Sequence, residues 1–193
     1  MSPKSKEQYE IIRSQSRLLI METALELFAQ KGFHNTTIKQ IAEAAGISKG
    51  LMYNYFKSKK ALLEAIIFGA ADESQHIVDE TLAEEVPPKI QLQHLLEGIF
   101  QMVERNLQHW KLLTALSFQT EILDQFKEQM DTRRKESMGK FISLFEAIGV
   151  ENPTYEAFLV GAVLDGAILQ YMHLENEYPL QEMKEYIINR FCT

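Results

Sequence analysis

The stretch from Thr36 to Lys60, TTIKQIAEAAGISKGLMYNYFKSKK, decides how the rest of the chain is read. Ile38, Ile41, Ala42 and Ala45 recur at i, i+3, i+4 and i+7, one apolar face of a short helix. Thr37, followed three positions later by Gln40, is a capping-box signature that marks where this helix starts. Gly46 interrupts the pattern, Ser48 offers an N-cap for a second short helix, and Met52 with Phe56 gives that helix a buried stripe. Two brief helices about a glycine turn form a helix-turn-helix candidate. In that motif the second helix offers its N-terminal residues to base edges in the major groove, which here exposes Ser48, Lys49, Gly50, Leu51 and Asn54. Gly50 costs its helix about 1 kcal/mol relative to alanine, but lets a partner approach the backbone closely.

Charge placement is a separate argument for the same surface. Lys49 sits in the first turn of the second helix, and Lys59 and Lys60 sit in the first turn of the helix that Ser58 would cap. Cations at a helix N-terminus are unfavourable by roughly 0.3 to 1 kcal/mol each, because that end is already positive. A polyanion reverses the sign, so the local misfit predicts a phosphate-docking surface.

Of the 193 residues, 46% are hydrophobic and 24% charged, the profile of an ordinary globular chain with room for one large domain or two small ones. The net charge of -7 argues at first against a nucleic-acid binder, but the average hides a division. Residues 1–60 hold 10 Lys+Arg against 5 Asp+Glu, whereas residues 61–193 hold 10 against 22. A basic head on an acidic body lets one part meet DNA while the other repels it. We therefore divide the chain into a head, residues 1–60, and a helical body, residues 61–193. The single cysteine, Cys192, permits no intrachain disulfide. The N-terminal MSPKSKEQYE lacks the apolar core of a secretion signal. The most apolar run, Phe158 to Met172, is interrupted by Asp165 and is shorter than the ~20 residues of a membrane span. A cytoplasmic protein with no membrane partner is the expectation.

Along the chain, residues 1–9 read as a polar tail. A helix follows from about Glu10 to Lys31, with Ile20, Ala24, Leu27 and Phe28 on one face and Gly32 as its stop. Beyond Lys60, helices are predicted at Leu62 to Leu82, Lys89 to Leu107, Ile122 to Ile148, Thr154 to His173 and Leu180 to Phe191, with a short apolar piece from Trp110 to Phe118. No segment sustains period-two alternation, so the fold class is all-α without a sheet. Arg133 to Lys135 read as a solvated charge run. In the last two helices Ala157, Gly161, Ala162, Gly166 and Ala167 alternate with Phe158, Leu164 and Ile168, and Met183, Ile187 and Phe191 share a stripe. This pattern suits a four-helix interface between two copies, with Phe158, Gly161, Ala162, Ile168, Met183, Ile187 and Phe191 as its candidate residues. Asp165, set in an apolar helix, calls for a hydrogen-bonding partner.

The head also closely resembles a known family. Thr23-Ala24, Phe28, Gly32-Phe33, Thr36-Thr37, Ile41-Ala42, the run Ala45 to Gly50, Tyr53, Tyr55-Phe56, Lys59 and Leu62 resemble, in order and spacing, the DNA-binding domain of TetR-family transcriptional regulators. The resemblance implies an all-helical homodimer of about nine helices per subunit, usually a repressor, which leaves a palindromic operator when a small molecule binds the body. Carried over by residue, it implies phosphate contacts from Thr37, Tyr53, Tyr55 and Lys59, and base-edge contacts near Lys39, Lys49, Gly50 and Leu51. Thr36, Ser48 and Asn54 complete the candidate DNA-binding set. Leu51 stands where the family often has threonine and Asn54 where it often has an aromatic; a leucine can touch a thymine methyl and an asparagine can read adenine or a phosphate.

The partners expected are double-stranded operator DNA, a small hydrophobic inducer and a second copy of the chain. Candidate inducer contacts are Phe68, Phe100, Val103, Trp110, Phe118, Phe141 and Phe145, since ligand sites are chiefly apolar. The helix from Leu62 to Leu82, as the one continuous link between head and body, would carry the signal by tilting. No cofactor is implied. The five histidines show no i, i+4 pair and no neighbouring cysteine, so no metal site is predicted; neither is an enzyme, in the absence of a phosphate loop or nucleophile motif. The alternative function is a protein-binding module or coactivator of the same fold whose basic head docks an acidic protein.

Overall fold

The structure, a computed structural model, describes residues 6–119 and 123–192. These residues form nine α-helices: α1 (Lys6–Lys31), α2 (Ile38–Ala44), α3 (Lys49–Tyr55), α4 (Lys59–Leu82), α5 (Pro88–Arg105), α6 (Leu107–Ser117), α7 (Lys127–Ile148), α8 (Pro153–Leu174) and α9 (Leu180–Cys192). Two short 3-10 turns, Asp124–Phe126 and Glu175–Glu177, complete the regular structure, and no strand occurs among the described residues. The all-α expectation holds. Part of the expected tail, residues 1–5, lies outside the described residues, as does Ile122, the expected start of a helix. The remainder of the tail is corrected: from Lys6 the chain is already helical, because residues 6–31 contain no glycine or proline to stop α1 from extending back from its apolar face.

The chain divides into two compact units. The first contains Met1–Ala70 and Lys111–Gln125, the second Ala71–Trp110 and Phe126–Thr193. The division falls inside α4 and again inside α6, so two helices pass from one unit to the other. The Leu62 to Leu82 helix is therefore not the only continuous link.

In the first unit Ile20, Ala24, Leu25 and Phe28 of α1 are buried with Ile41 and Ala42 of α2, Met52 of α3 and Leu62, Leu63 and Ile66 of α4. Phe28 and Phe33 meet with ring centroids 5.1 Å apart. Each fully buried side chain of this size contributes roughly 1.5–3 kcal/mol relative to exposure, enough to hold α2 and α3, which at seven residues each could not persist alone. Gly32, at φ +81, ends α1 with its N–H donated to the Phe28 carbonyl at 3.0 Å.

The second unit is packed around Leu92, Leu95, Leu96 and Phe100 of α5, Leu144 and Phe145 of α7, Val160 and Leu164 of α8 and Ile187 of α9. A Cβ at Gly98 would lie 2.9 Å from Ile77 Cγ2, so the absence of a side chain lets α5 approach α4 there. Met102, Val103 and Met172 form a smaller cluster that Trp110 joins, its Nε1 donating to the Met102 carbonyl at 3.2 Å. The charge run on α7 is largely paired: Arg133 with Asp72, Arg134 with Asp131, and nearby Lys140 with Asp79.

Helix α8 departs from its sequence reading in two ways. It is longer than the apolar run suggested, and residues 153–177 are long and apolar enough, by length and composition, to cross a membrane. Its exposed residues nevertheless include Asp165, so that carboxylate sits in solvent rather than inside a core that would demand a partner. Helical spacing places it with Tyr155, Phe158, Leu159, Ala162 and Leu169 on the uncovered side, while Ala157, Val160, Leu164 and Ala167 face the core.

Candidate nucleic-acid interface

The first turns of α2 and α3 leave backbone N–H groups without helical acceptors, and the sequence supplies side chains for both. Thr37 Oγ1 accepts from the Gln40 N–H at 3.2 Å while Gln40 Oε1 accepts from the Thr37 N–H at 2.8 Å, closing the capping box. Ser48 Oγ accepts from the Leu51 N–H at 3.1 Å. Between the helices Gly46 adopts φ +68, which an L side chain rarely tolerates. The Ile47 N–H then returns to the Ala42 carbonyl at 2.9 Å, fixing the turn.

With Met52 and Phe56 buried, the opposite side of α3 faces solvent. Ser48, Lys49, Gly50, Leu51, Tyr53 and Asn54 are exposed, as are Thr37 and Lys39 of the preceding element, and Tyr55 is half-buried. Leu51 is 40% exposed and Tyr53 41%, so this polar, cationic face also holds two large apolar groups in water. Lys39 lies 3.6 Å from Glu43 one turn on, an exposed pair that contributes a few tenths of a kcal/mol. A Cβ at Gly50 would meet Ser48 Oγ at 3.9 Å, an ordinary contact. Its backbone is also not among the positive-φ glycines. The glycine therefore answers no steric demand of its own helix.

Two of the expected DNA contacts are placed differently. Thr36 is fully buried, its Oγ1 shared between the carbonyls of Gly32 at 2.9 Å and Leu27 at 3.2 Å. Lys59 Nζ donates to the carbonyls of Phe33 and Thr36, both at 2.7 Å, and lies 4.3 Å from the Phe33 ring centroid. Partial burial pulls its ammonium below the usual lysine value. The cation that looked misplaced at the start of α4 is thus answered inside the chain by two carbonyls and an aromatic face. Both residues brace the α1–α2 turn on which the exposed face is mounted. Gln119, which periodicity did not single out, joins that turn: its Nε2 donates to the Phe28 carbonyl at 3.1 Å and its Oε1 accepts from the Phe33 N–H at 3.4 Å.

The candidate ligand residues are divided between the two units. Phe100, Val103 and Phe145 are buried, Trp110 and Phe141 are half-buried in the second unit, and Phe68 and Phe118 belong to the first unit, with Phe118 75% exposed. A cleft of 470 Å³ in the second unit is lined by Phe145, Leu159, Met183, Ile187 and Phe191, with Glu156 and Arg190 also contributing. Three residues expected at a subunit interface, Met183, Ile187 and Phe191, therefore line a cleft of the single chain. Of the remaining interface candidates, Phe158 is 57% exposed, Ala162 is exposed, and Gly161 and Ile168 are partly covered. A Cβ at Gly161 or Gly166 would meet nothing within 4 Å. Tyr155, Leu169 and Tyr186 are exposed without having been singled out, although the spacing of Tyr155 and Leu169 relative to Phe158 carried the signal.

Residues 20–66, which contain α2 and α3, match the family model described as bacterial regulatory proteins, tetR family. Over 49 residues the chain is 55% identical to an uncharacterized HTH-type transcriptional regulator, YuxN, of Bacillus subtilis; the match covers 25% of this chain and 17% of that protein. The chain spans half or less of the length of the curated relatives it matches. Among solved structures it is similar to a transcriptional regulator of the TetR/AcrR family from Thermobifida fusca, at 27% identity and TM-score 0.60 over 92% of this chain and 96% of that one. It also shares the fold of AibR, solved in complex with isovaleryl coenzyme A and operator DNA, at 19% identity and TM-score 0.68 over 91% and 97% of the two chains. Residues 20–66, and with them the helix-turn-helix of the head, are similar to the N-terminal DNA-binding domain of the tetR family of bacterial regulatory proteins.

Proposed function

We propose that the protein is a ligand-responsive repressor that binds a palindromic operator as a homodimer and leaves it when a small hydrophobic molecule occupies the body. The observation that carries the reading is the exposed face of α3: Lys49, Gly50, Leu51, Tyr53 and Asn54 stand in solvent on a helix whose opposite side, at Met52, is fully buried. Lys49, Tyr53 and Tyr55 grip phosphates, and Gly50 lets the backbone approach the groove. Leu51 offers a methyl contact and Asn54 a hydrogen-bonding edge to bases. The site of action follows from the partner, so the protein works in the cytoplasm, where its operator lies.

Dimerisation is supported by α8, whose exposed Tyr155, Phe158, Leu159 and Leu169 form an apolar stripe that water leaves unsatisfied. Two-fold symmetry then sets the spacing of the two α3 helices on successive major grooves. AibR, a protein of the same fold, has been solved with an acyl-coenzyme A and operator DNA, which supports a body that takes a small ligand. Release follows when ligand occupancy tilts α4 and changes the separation of the heads.

Selection of duplexes from a randomised pool, followed by mobility-shift titration of the winners at several salt concentrations, tests the reading. A palindromic consensus, with affinity falling steeply as salt rises, is the expected result. A pool without enrichment, together with a protein captured by the head, would transfer the function to the protein-binding alternative.

A further inference from the structure

Helix α6 begins in the second unit, whereas its residues from Lys111 on belong to the first, as do Phe118 and Gln119. At the end of this segment the Gln119 N–H closes a turn onto the Leu116 carbonyl at 3.0 Å. The carboxamide orientation is settled by its partners, because the Phe28 carbonyl can only accept and the Phe33 N–H can only donate. Phe33 in turn gives its own carbonyl to Lys59 Nζ, which also holds the Thr36 carbonyl. Thr37, the N-cap of α2, comes next. Hydrogen bonds therefore run from Gln119, two residues past α6, across the α1–α2 turn to Thr36, whose peptide bond leads into the N-cap of α2.

We propose that Gln119 is a positioning residue for the DNA-reading face, which it steadies through the α1–α2 turn. The inference rests on the DNA-binding reading above and adds to it a named residue outside the helix-turn-helix. Orientation of α3 matters for reading base edges and far less for non-specific attraction to phosphates. Loosening the turn should therefore reduce specificity before it reduces non-specific binding.

The test uses the full-length protein with Gln119→Met, which keeps the length of the side chain but neither hydrogen bond, and Gln119→Glu, which keeps the acceptor for Phe33 and loses the donor to Phe28. Hydrogen exchange is read at the Phe33 amide and across α2, and affinity is read on a duplex enriched by the wild type and on one of unrelated sequence. Expected for Gln119→Met are faster exchange at Phe33 and α2, unchanged exchange in α5, and about tenfold weaker binding to the enriched duplex. Binding to the unrelated duplex should be unaltered and Gln119→Glu intermediate. Unchanged exchange at Phe33 and α2 would overturn the proposal, as would faster exchange with enriched-duplex affinity within twofold of wild type, which would leave Gln119 a stabilising contact alone. A wild type that enriches no duplex overturns the DNA-binding reading and the positioning role with it, an outcome distinct from failure of the variants on a duplex that the wild type selects.

Discussion

Helices α3 and α8 each leave one face uncovered, and the two faces have opposite chemistry. On α3 the exposed positions carry a lysine, a glycine, a serine cap and an asparagine around Leu51 and Tyr53; on α8 Tyr155, Phe158, Leu159, Ala162 and Leu169 surround a single carboxylate, Asp165. Scattered apolar residues on a surface need no explanation, but a stripe at helical spacing along a 22-residue helix does. The comparison teaches that burial alone does not mark a functional surface. What matters is which surroundings the uncovered face suits: on the function proposed above, a hydrated polyanion for α3 and another apolar helix for α8.

Putting a charge on the apolar face should have the largest effect. Phe158→Asp places a carboxylate where the proposed partner copy would desolvate it, and is expected to halve the particle mass in light scattering. Operator affinity should fall more than a hundredfold, since two heads on one particle gain strongly from effective concentration. The helical content should stay unchanged. An undiminished dimer would show that the α8 stripe serves something other than self-association.

Thr36→Val and Lys49→Ala separate the bracing from the face it supports. Thr36→Val removes a fully buried hydroxyl that satisfies two carbonyls, and should cost about 1–3 kcal/mol of stability in urea melts. Lys49→Ala removes an exposed charge and should leave the melt alone while weakening the operator complex about tenfold and lowering its salt dependence by about one counterion. If instead Thr36→Val altered binding with stability intact, the two classes of residue would have to be exchanged. Gly50→Ala sharpens the contrast further, because one substitution should have opposite signs. Replacing a first-turn glycine that has room for a Cβ stabilises α3 by up to about 1 kcal/mol, yet sets a methyl between backbone and groove. A higher melting temperature with weaker binding is expected; tighter binding would remove the close approach.

How much of this was legible beforehand follows the range of the forces involved. The start of α2, the Gly46 turn and the Ser48 cap are local effects between residues a few positions apart, and each stands where the sequence placed it. The inward role of Lys59 was not legible, because its carbonyl acceptors lie 26 and 23 positions away and its dipole misfit fitted an external anion equally well. Gln119 is further out of reach, 91 positions from Phe28. In the body, aromatic residues at helical spacing announce burial without saying against what. Phe145 lines the cleft, whereas Phe100 is locked in the core and Phe118 stands in solvent.

The smallest effect should come from charges that already have partners, and it tests whether a cation's surroundings decide its role. Lys49 faces open water, but Lys140 is bonded to Asp79 across α4 and α7. That hydrogen bond is the chief reason the Asp79 carboxyl is held below its ordinary value of 3.8, against a smaller opposing contribution from desolvation. A carboxyl lowered in the folded state contributes stability that is complete above its ordinary value and is lost as pH falls through the lowered one. The pair is exposed and screened by salt, so Asp79→Asn should lower the melting temperature by about 1–2 °C at pH 7 in dilute buffer. The difference should close in 1 M salt and again as the pH is brought below 3.8 toward the lowered value. A difference that persisted at acid pH would mean that Asp79 acts by packing, and the distinction between satisfied and waiting charges would then have to rest on Lys49 alone.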